Sequence, residues 1–424
     1  MSFDAYLRRL KEPYRRLIRL DFLNPDGSPA FSIGNAEQDP RGRALIAGGE
    51  LTCALNNGRR RQALILLDNA GGDYEFAVNR LWFGQQIRLS EGLRLADGTD
   101  WLIPQGVFYP EDPEELLGPR GRTVRLRLAD KWSLLEEGPG TLEGDYLVPA
   151  GSHIFEAMAA LLRLSRFTGQ PVDPADPAAA REMLDPLAPV FTTRFRDRVQ
   201  HLPDGSEVPL LLAPHDCLIP AGSSLAQVLL QLAELLPARV GYDACGRLRV
   251  DPSEDDADPN QRPVLWSFRP DDGFLLQLRS TLRSGSVYND CVVVGGSSGD
   301  SPAPRARVRN LDPASPTCVN RIGLRTLRCE RTDYSSEEAC LAYAEWKLKR
   351  AALPVRSLEL SCRPLYHLSE NGILTLSGQL PGQTGPEQAE DRYILQSFTR
   401  PLADEPMTLT AVSAEAFPTL TRVE

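Results

Sequence analysis

Apolar and polar residues alternate along much of this chain with a period of two, the signature of strands that bury one face. The stretch from Leu81 to Pro110 organises the rest. Ile87-Arg88-Leu89 and Leu93-Arg94-Leu95 alternate, Asp97-Gly98 offers a hairpin turn, and Trp101 to Tyr109 forms the return. This pattern predicts a β-meander closing into a small barrel. Thr123-Val124-Arg125-Leu126-Arg127-Leu128 continues it as a third alternating strand. The same order recurs near the C-terminus, in Leu365 to Leu376, Arg392 to Phe398 and Met407 to Val412. In both copies a short strand precedes one opened by an aromatic, and a third strand alternates. The repeat is one of pattern, and such repeats often mark two domains of one fold.

Taken in order, residues 1–13 form a short amphipathic segment stopped by Pro13. Leu17 to Leu23 is a strand with Ile18, Leu20 and Phe22 on one face, turned at Asn24-Pro25-Asp26-Gly27 into a return strand at Ala30 to Ile33. Gly48 to Leu55 and Gln62 to Asn69 read as a second pair. Past Gly138-Pro139-Gly140 the period changes. Ser152 is placed to cap a helix carrying Ile154, Phe155, Met158, Leu161 and Leu162. Residues 169–189 are rich in Pro, Asp and Ala, with a short helix around 178–184. Ser224-Leu225-Ala226-Gln227 is a capping box for a helix ended by Pro237, which feeds a hairpin at 238–250. Asp251 to Arg262 is acidic and reads as a solvated loop. Val264 to Phe268 and Val287 to Val294 are strands. Ser335-Ser336-Glu337-Glu338 opens a helix stopped by Pro354. The expected organisation is a mainly β chain with an α+β middle: a β-barrel domain over 1–135, a mixed segment over 136–285, and a second β-barrel domain with one helix over 286–424.

Composition narrows the function classes. With 424 residues the chain is long enough for two to four domains. Its 33 Gly and 35 Pro favour short elements and turns, and its formal net charge of -10 speaks against nucleic-acid binding, which needs a basic surface. An acidic wall would still suit a passage to which nucleic acid must not stick. No run approaches the roughly 18 apolar residues of a membrane helix, and the N-terminus lacks a secretory apolar core. The eight cysteines are scattered without a Cys-x-x-Cys pair, which fits synthesis in a reducing cytoplasm and offers no zinc motif.

Candidate chemistry is sparse. Gly295-Gly296-Ser297-Ser298-Gly299 follows a strand but lacks both dinucleotide-loop spacing and a Walker lysine, so a surface loop is the better reading. His215-Asp216-Cys217 sets a base, an acid and a thiol side by side, yet neighbours in an extended segment point to opposite faces. The four histidines (His153, His201, His215, His367) have no His-x-x-x-His spacing. Glu114-Glu115 and Asp255-Asp256 are paired carboxylates in Pro-containing polar stretches, read as solvated loops rather than a walled acid site. Arg59-Arg60-Arg61 beside a turn is placed to pair with an acidic neighbouring subunit. No catalytic, cofactor-binding or metal-ligating residue is assigned, and no cofactor is expected.

Several segments, in this order, resemble the baseplate (tail) hub proteins of contractile-tailed phages and phage-tail-like particles, in the branch of Gram-positive hosts. They are Gly48-Gly49-Glu50-Leu51 with Leu64 to Asn69, Leu81-Trp82-Phe83-Gly84, Gly92-Leu93-Arg94, Gly106-Val107-Phe108-Tyr109, Tyr288 to Gly296, Pro316-Thr317 with Arg321-Ile322-Gly323, and the helix from Glu337 to Ala352 running into Leu358-Glu359-Leu360.

The resemblance implies a non-enzymatic structural protein, made in the bacterial cytoplasm and assembled into the baseplate of a virion or of a headless contractile injection particle. It implies a homotrimer in which two related barrels per copy give a pseudo-sixfold ring. Such a ring joins the sixfold tail tube protein to the threefold spike protein, beside other baseplate proteins. The chain ends soon after Phe417-Pro418, and no appended hydrolase domain is expected. The rival expectations are a tail-associated cell-wall hydrolase, using carboxylates or Cys217, and a distal-tail or host-binding module.

Overall fold

The computed structural model describes residues 3–35, 45–56, 58–74, 84–119, 121–136, 138–185, 189–191, 199–201, 207–209, 211–213, 216–236, 238–252, 262–269, 272–283, 287–296, 302–332, 334, 336–353, 355–377, 391–414 and 418–423. Helix α1 (Phe3–Leu10) is followed by β1 (Arg16–Leu23), β2 (Pro29–Gly34), β3 (Ile46–Ala54), β4 (Arg61–Asp68), β5 (Gln86–Arg94), β6 (Asp100–Gly118) and β7 (Gly121–Asp130). The middle of the chain holds β8 (Tyr146–Val148), α2 (Ile154–Leu162), α3 (Pro177–Ala180), β9 (Val190–Phe191), β10 (Val199–His201), β11 (Glu207–Pro209), β12 (Cys217–Ile219), α4 (Leu225–Leu235), β13 (Ala238–Tyr242) and β14 (Leu248–Pro252). Then come β15 (Val264–Phe268), β16 (Leu275–Arg283), β17 (Asp290–Gly295), β18 (Arg305–Asn310), α5 (Val319–Ile322), β19 (Thr326–Arg331), α6 (Glu337–Ala351), β20 (Val355–Cys362), β21 (Ile373–Leu376), β22 (Asp391–Pro401), β23 (Met407–Ser413) and β24 (Leu420–Arg422).

The fold is mainly β and is dominated by one 13-stranded sheet whose main path runs β16-β20-β23-β22-β3-β4-β7-β6-β5-β1-β2, with β15 and β21 attached beside it. Two five-strand units lie in that sheet. The first has the order β5-β6-β7-β4-β3 and the second β21-β22-β23-β20-β16, with every neighbouring pair antiparallel. Chain order within the two units is also the same, except that β17 to α6 is inserted between the first and second strands of the second unit. The C-terminal repeat seen in the sequence is therefore a repeat of topology. Among the described residues neither unit closes into a barrel. They are joined as one open sheet through β3 and β22.

The alternation explains the core. In β4 the positions of Arg61, Ala63, Ile65 and Leu67 turn inward, and in β7 those of Val124, Leu126 and Leu128. The apolar side chains among them share one core with Leu358, Leu360, Phe398 and Leu409 of the second unit, so both units bury against the same interior. Helix α1 adds Tyr6 and Leu10 to it. A second core, built from α2, α4, β13 and β14, forms the α+β middle. A third lies where α6 covers β17 and β18 of a four-stranded sheet, β19-β17-β18-β24.

Four local expectations need correction. Glu114-Glu115 is not in a loop. It lies within the 19-residue strand β6, because a bulge at Asp112 (φ 43°) and Pro113 absorbs the proline without ending the pairing with β7. Helix α2 is capped at His153, one residue later than Ser152, and without a side-chain capping bond. The run from Leu365 to Gly372 is not strand; only Ile373–Leu376 pairs in that segment. Arg59 pairs with Glu111 and Glu136 of its own chain rather than awaiting a neighbour. At α4 the expected cap is present, with the Ser224 hydroxyl accepting from the Gln227 N–H at 3.3 Å. At α6 the hydroxyl of Ser336 does the same for Ala339 at 3.1 Å.

Candidate functional site

The feature that sets this chain apart is the seam between the two units. Strand β22 lies antiparallel on β3 from Ser397 opposite Ala54 to Pro401 opposite Glu50. The seam is extended by Leu402 N–H donating to the Gly49 carbonyl at 2.8 Å and by contact between the Thr52 and Thr399 hydroxyls at 3.3 Å. On its other side, against β4, β3 makes a close backbone approach that needs glycine. Gly49 has φ +132°, and a Cβ there would lie 1.9 Å from the Leu64 carbonyl oxygen.

Behind the seam lie charges shut away from water. Arg400 of β22 donates from Nε to Glu91 Oε2 at 2.7 Å and from Nη1 to the Leu365 carbonyl at 2.8 Å. The other Glu91 oxygen accepts from Arg16 Nη2 at 2.6 Å. Gln105 also bonds Arg400, and its Nε2 donates to the Tyr366 carbonyl at 2.9 Å. Gln105 is aimed inward because it is the extra residue of a bulge, with Leu89 opposite Gly106 and Ser90 opposite Pro104. Each Glu91 oxygen thus accepts from one guanidinium, the paired geometry that a buried ion pair needs.

A second pair has the opposite polarity. Arg61 of the first unit bonds Glu370, which precedes β21, and donates to the Gln105 carbonyl at 2.8 Å. The Cys53 thiol donates to the same carboxylate at 3.0 Å. Burial pushes Glu370 upward, but Arg61 and then Arg60 outweigh it and hold the carboxyl below its usual range. Burial pushes the Cys53 thiol well above its ordinary value, which disfavours the thiolate. Asp130 accepts N–H bonds from Arg60, Arg61 and Trp132 at 2.9, 2.9 and 3.1 Å; burial still raises its carboxyl to about 6. His367 packs against Tyr6 and Trp266, within reach of the Arg400 charge. Its Nδ1 is 3.0 Å from the Tyr6 hydroxyl and its Nε2 3.2 Å from the Leu265 carbonyl.

Beside Arg61 and Glu370 opens a cleft of about 420 Å³, bounded by both units and by the β13–β14 hairpin. Arg60, Arg239, Arg249 and Arg262 line it with Asp243 and Asp251. Arg249 holds Asp251 at 2.9 Å, and Asp243 is held by Arg247 at 2.9 Å.

The residues singled out in the sequence do not converge. Cys217 opens β12, and the Asp216 carboxylate accepts the Ala150 N–H at 2.7 Å, a loop-fixing bond. His215, Trp82, Asp255, Asp256 and residues 297–299 of the glycine loop lie outside the described residues. Gly295 closes β17, where a Cβ would meet the Tyr334 carbonyl at 2.3 Å, so that glycine serves packing. Trp101 is half-buried against Tyr6, with ring centroids 6.2 Å apart. Among the described residues no three potential ligands gather as a metal site, and no helix is long and apolar enough to cross a membrane.

Sequence reasoning missed Glu91, Arg400, Glu370 and Gln105. The available signal was an acid in the strand that opens the first meander and a base in the middle strand of the second. They are the opposite charges of one buried pair.

The chain is similar in structure to a tail protein from Neisseria meningitidis MC58, with a TM-score of 0.58 and 10% identity, covering 96% of this chain and 100% of that one. It is likewise similar to the 43 kDa tail protein of prophage MuSo2 from Shewanella oneidensis, with a TM-score of 0.56 and 12% identity, covering 95% of this chain and 99% of that one. No protein-family model and no curated protein sequence matches it. At such identity the likeness is one of fold, and it extends over nearly the whole of both chains.

Proposed function

We propose that this chain is a structural protein of a phage-type tail and serves as the hub of its baseplate. Three copies form a ring that joins a sixfold tail tube to a threefold spike. The observation that carries this reading is the doubling of one five-strand topology inside a single sheet. Three copies of a chain with two like units present six like units, so one ring can face sixfold symmetry on one side and threefold symmetry on the other. The similarity in fold to two tail proteins supports the tail assignment. The charges behind the seam support a structural role: Glu91, Arg16 and Arg400 are consumed in fixing one unit to the other, and the carboxylates beside the cleft (Glu370, Asp243 and Asp251) are each held by an arginine. In this reading the α+β middle is peripheral, and the partners are further copies of this chain, the tube protein, the spike protein and other baseplate proteins. The finer assignment, to the Gram-positive-type branch of contractile-tailed particles, rests on motif order in the sequence alone.

The test is to purify intact tails from producing cells and count copies of this chain by quantitative mass spectrometry. About three per tail fits a closed threefold ring. About six points to a tube-end or distal-tail ring, and absence from purified tails overturns the reading.

A further inference from the structure

The two units of the sheet are equivalent, but their outer contacts are not. The last strand in the spatial order of unit one, β3, lies on the second strand of unit two, β22. The reciprocal contact would place the last strand of unit two, β16, on the second strand of unit one, β6. Among the described residues it is missing within the chain. Strand β16 pairs with β20 on one side only, and β6 has no β5 partner beyond Phe108 among the described residues. We infer that these two edges are made for each other and meet between copies, β16 of one chain pairing antiparallel with the end of β6 of the next. The inference rests on the ring proposed above and identifies its contact surface.

Three observations carry it. First, the β16 edge is unguarded, and β6 over 114–118, past its Asp112–Pro113 bulge, pairs only with β7 among the described residues. A nine-residue edge strand without proline or bulge protection along its last five residues is a template for another strand, and β16 over 279–283 is such a strand. Second, exposed large apolar side chains concentrate there. Leu276 and Leu282 of β16 are 56% and 61% exposed, and Leu117 of β6 is 81% exposed. Third, the two edges differ in the sign of their charge. Strand β16 has no acid and carries Arg279, beside Glu359 of its own sheet, whereas the end of β6 carries Glu111, Asp112, Glu114 and Glu115, of which Glu111 holds Arg59 and Glu114 holds Arg125 and Arg127 of the same chain.

The seam already present supplies the register. Strands β22 and β6 each have a bulge, after Leu395 and after Glu111, and Ser397 and Glu114 are the residues at which pairing resumes. Strands β3 and β16 have bulges at Ile46/Gly48 and Leu275/Gln277. Transferring the β3–β22 register puts Thr281 opposite Leu116 and Ser280 opposite Leu117. Leu117 then falls between Leu278 and Leu282 on the diagonal, within reach of side-chain contact. The layer is continuous. Leu278 lies opposite Leu360 in its own sheet, and Glu115, on the same face as Leu117, lies opposite Val124. Both Leu360 and Val124 belong to the shared core. Because the two edges differ, the contact is heterologous and generates a closed ring when the rotation between copies closes.

The experiment is disulfide trapping in purified tails carrying Thr281→Cys and Leu116→Cys together, with each single variant as control and Thr281→Cys/Leu117→Cys and Ser280→Cys/Leu116→Cys to cover a one-residue slip in either direction. The expected result is covalent dimers and trimers on a non-reducing gel with the first pair and none with either single variant. The free protein provides a second measurement: Leu117→Lys should lower self-association at least tenfold by sedimentation, without moving the unfolding midpoint read at a dilution where the parent is monomeric, since the residue is exposed in the single chain. A chain present in tails that cross-links in none of the three pairs overturns the inference and leaves the tail reading standing. Cross-linked rings of the free protein, with the chain absent from tails, uphold the contact and overturn the tail reading. Unchanged self-association in Leu117→Lys also counts against the contact.

Discussion

Arg400 and Glu91 meet at 2.7 Å with both side chains fully shut off from solvent, one from each half of a doubled sheet. Removing two charges from water costs several kcal/mol each, and their attraction offsets this only while every lone pair and N–H is engaged. Arg16 and Gln105 supply further bonds to the pair, although Arg16 Nε itself has no hydrogen-bond partner among the described residues. Arg400→Met should therefore destabilise the chain by about 3–5 kcal/mol, by leaving Glu91 half-paired. Glu91→Leu with both Arg400→Met and Arg16→Met should recover much of that loss, since replacing the whole buried triad by apolar side chains leaves no charge stranded, whereas Glu91→Leu with Arg400→Met alone would strand Arg16. Urea unfolding midpoints of the single and triple variants decide it; a triple variant no better than the single would place the cost in packing.

Gly49 and Gly92 should resist substitution for a reason of distance. A Cβ at Gly92 would lie 1.8 Å from the Trp101 carbonyl oxygen, and one at Gly49 would lie 1.9 Å from that of Leu64. Both oxygens belong to the neighbouring strand, so neither can yield without breaking the ladder. Gly49→Ala and Gly92→Ala are each expected to cost about 3 kcal/mol or more. Gly98, at φ +84° in a turn with open space around it, is the control, and its alanine variant should cost about 1–2 kcal/mol. Equal losses at all three positions would remove the close-approach argument.

These glycines also show what the sequence could reveal. Gly-Gly before Glu50 and the Gly92-Leu93-Arg94 run were visible as motifs, and the alternation in β4 and β7 announced the inward faces. The doubling was visible too, because strand period and aromatic position survive when identity is lost. The partner of each strand was not. Pairing β3 with β22 joins residues some 350 positions apart, as with Thr52 and Thr399, and nothing local encodes that. For the same reason Glu91 and Arg400 looked like ordinary polar positions of half-solvated strands. Only the seam turns them inward together.

Asp290 sets a lower acid limit. Its Oδ1 accepts from Arg307 Nε at 2.8 Å and Arg309 Nε at 2.9 Å, and its Oδ2 from Arg307 Nη2 at 2.8 Å and Thr326 Oγ1 at 2.7 Å. Burial opposes ionisation, and these donors outweigh it and hold the carboxyl at about 2. A folded value below the unfolded 3.8 means that the stabilisation is present above pH 3.8 and is lost as pH falls towards 2. The two arginines are about a quarter exposed, which keeps the contribution to about 1–2 kcal/mol. Asp290→Asn should lose that amount at pH 7 and show less further loss between pH 4 and 2. Parallel acid curves for the variant and the parent would refute the assignment.

His367 should dominate the next window up. Burial is the main cause lowering its imidazolium from 6.5 to about 4, and the nearby Arg400 charge acts in the same direction against the bond to the Leu265 carbonyl. The hydrogen bonds explain the preference for the neutral ring. The Tyr6 hydroxyl accepts from the Tyr366 N–H at 3.1 Å, which leaves its proton for His367 Nδ1, while Nε2–H faces the Leu265 carbonyl. A second ring proton would meet the Tyr6 hydroxyl head-on. With the folded value below the unfolded one, the unfolded chain takes up the proton first. Stability contributed by neutral His367 is then complete above pH 6.5 and drains away as pH falls to 4, by about 2–3 kcal/mol in total. Asp130 works the other way between 3.8 and 6, because its folded carboxyl is raised and the chain loses stability as pH rises through that range. A single pH curve would blend the two. The informative quantity is the difference in unfolding free energy between the parent and His367→Gln, since Asp130 is common to both and cancels. That difference should be flat above pH 6.5 and shrink steadily to pH 4. A difference that stays constant across the window would mean that the ring is already charged, or already solvated, in the folded chain.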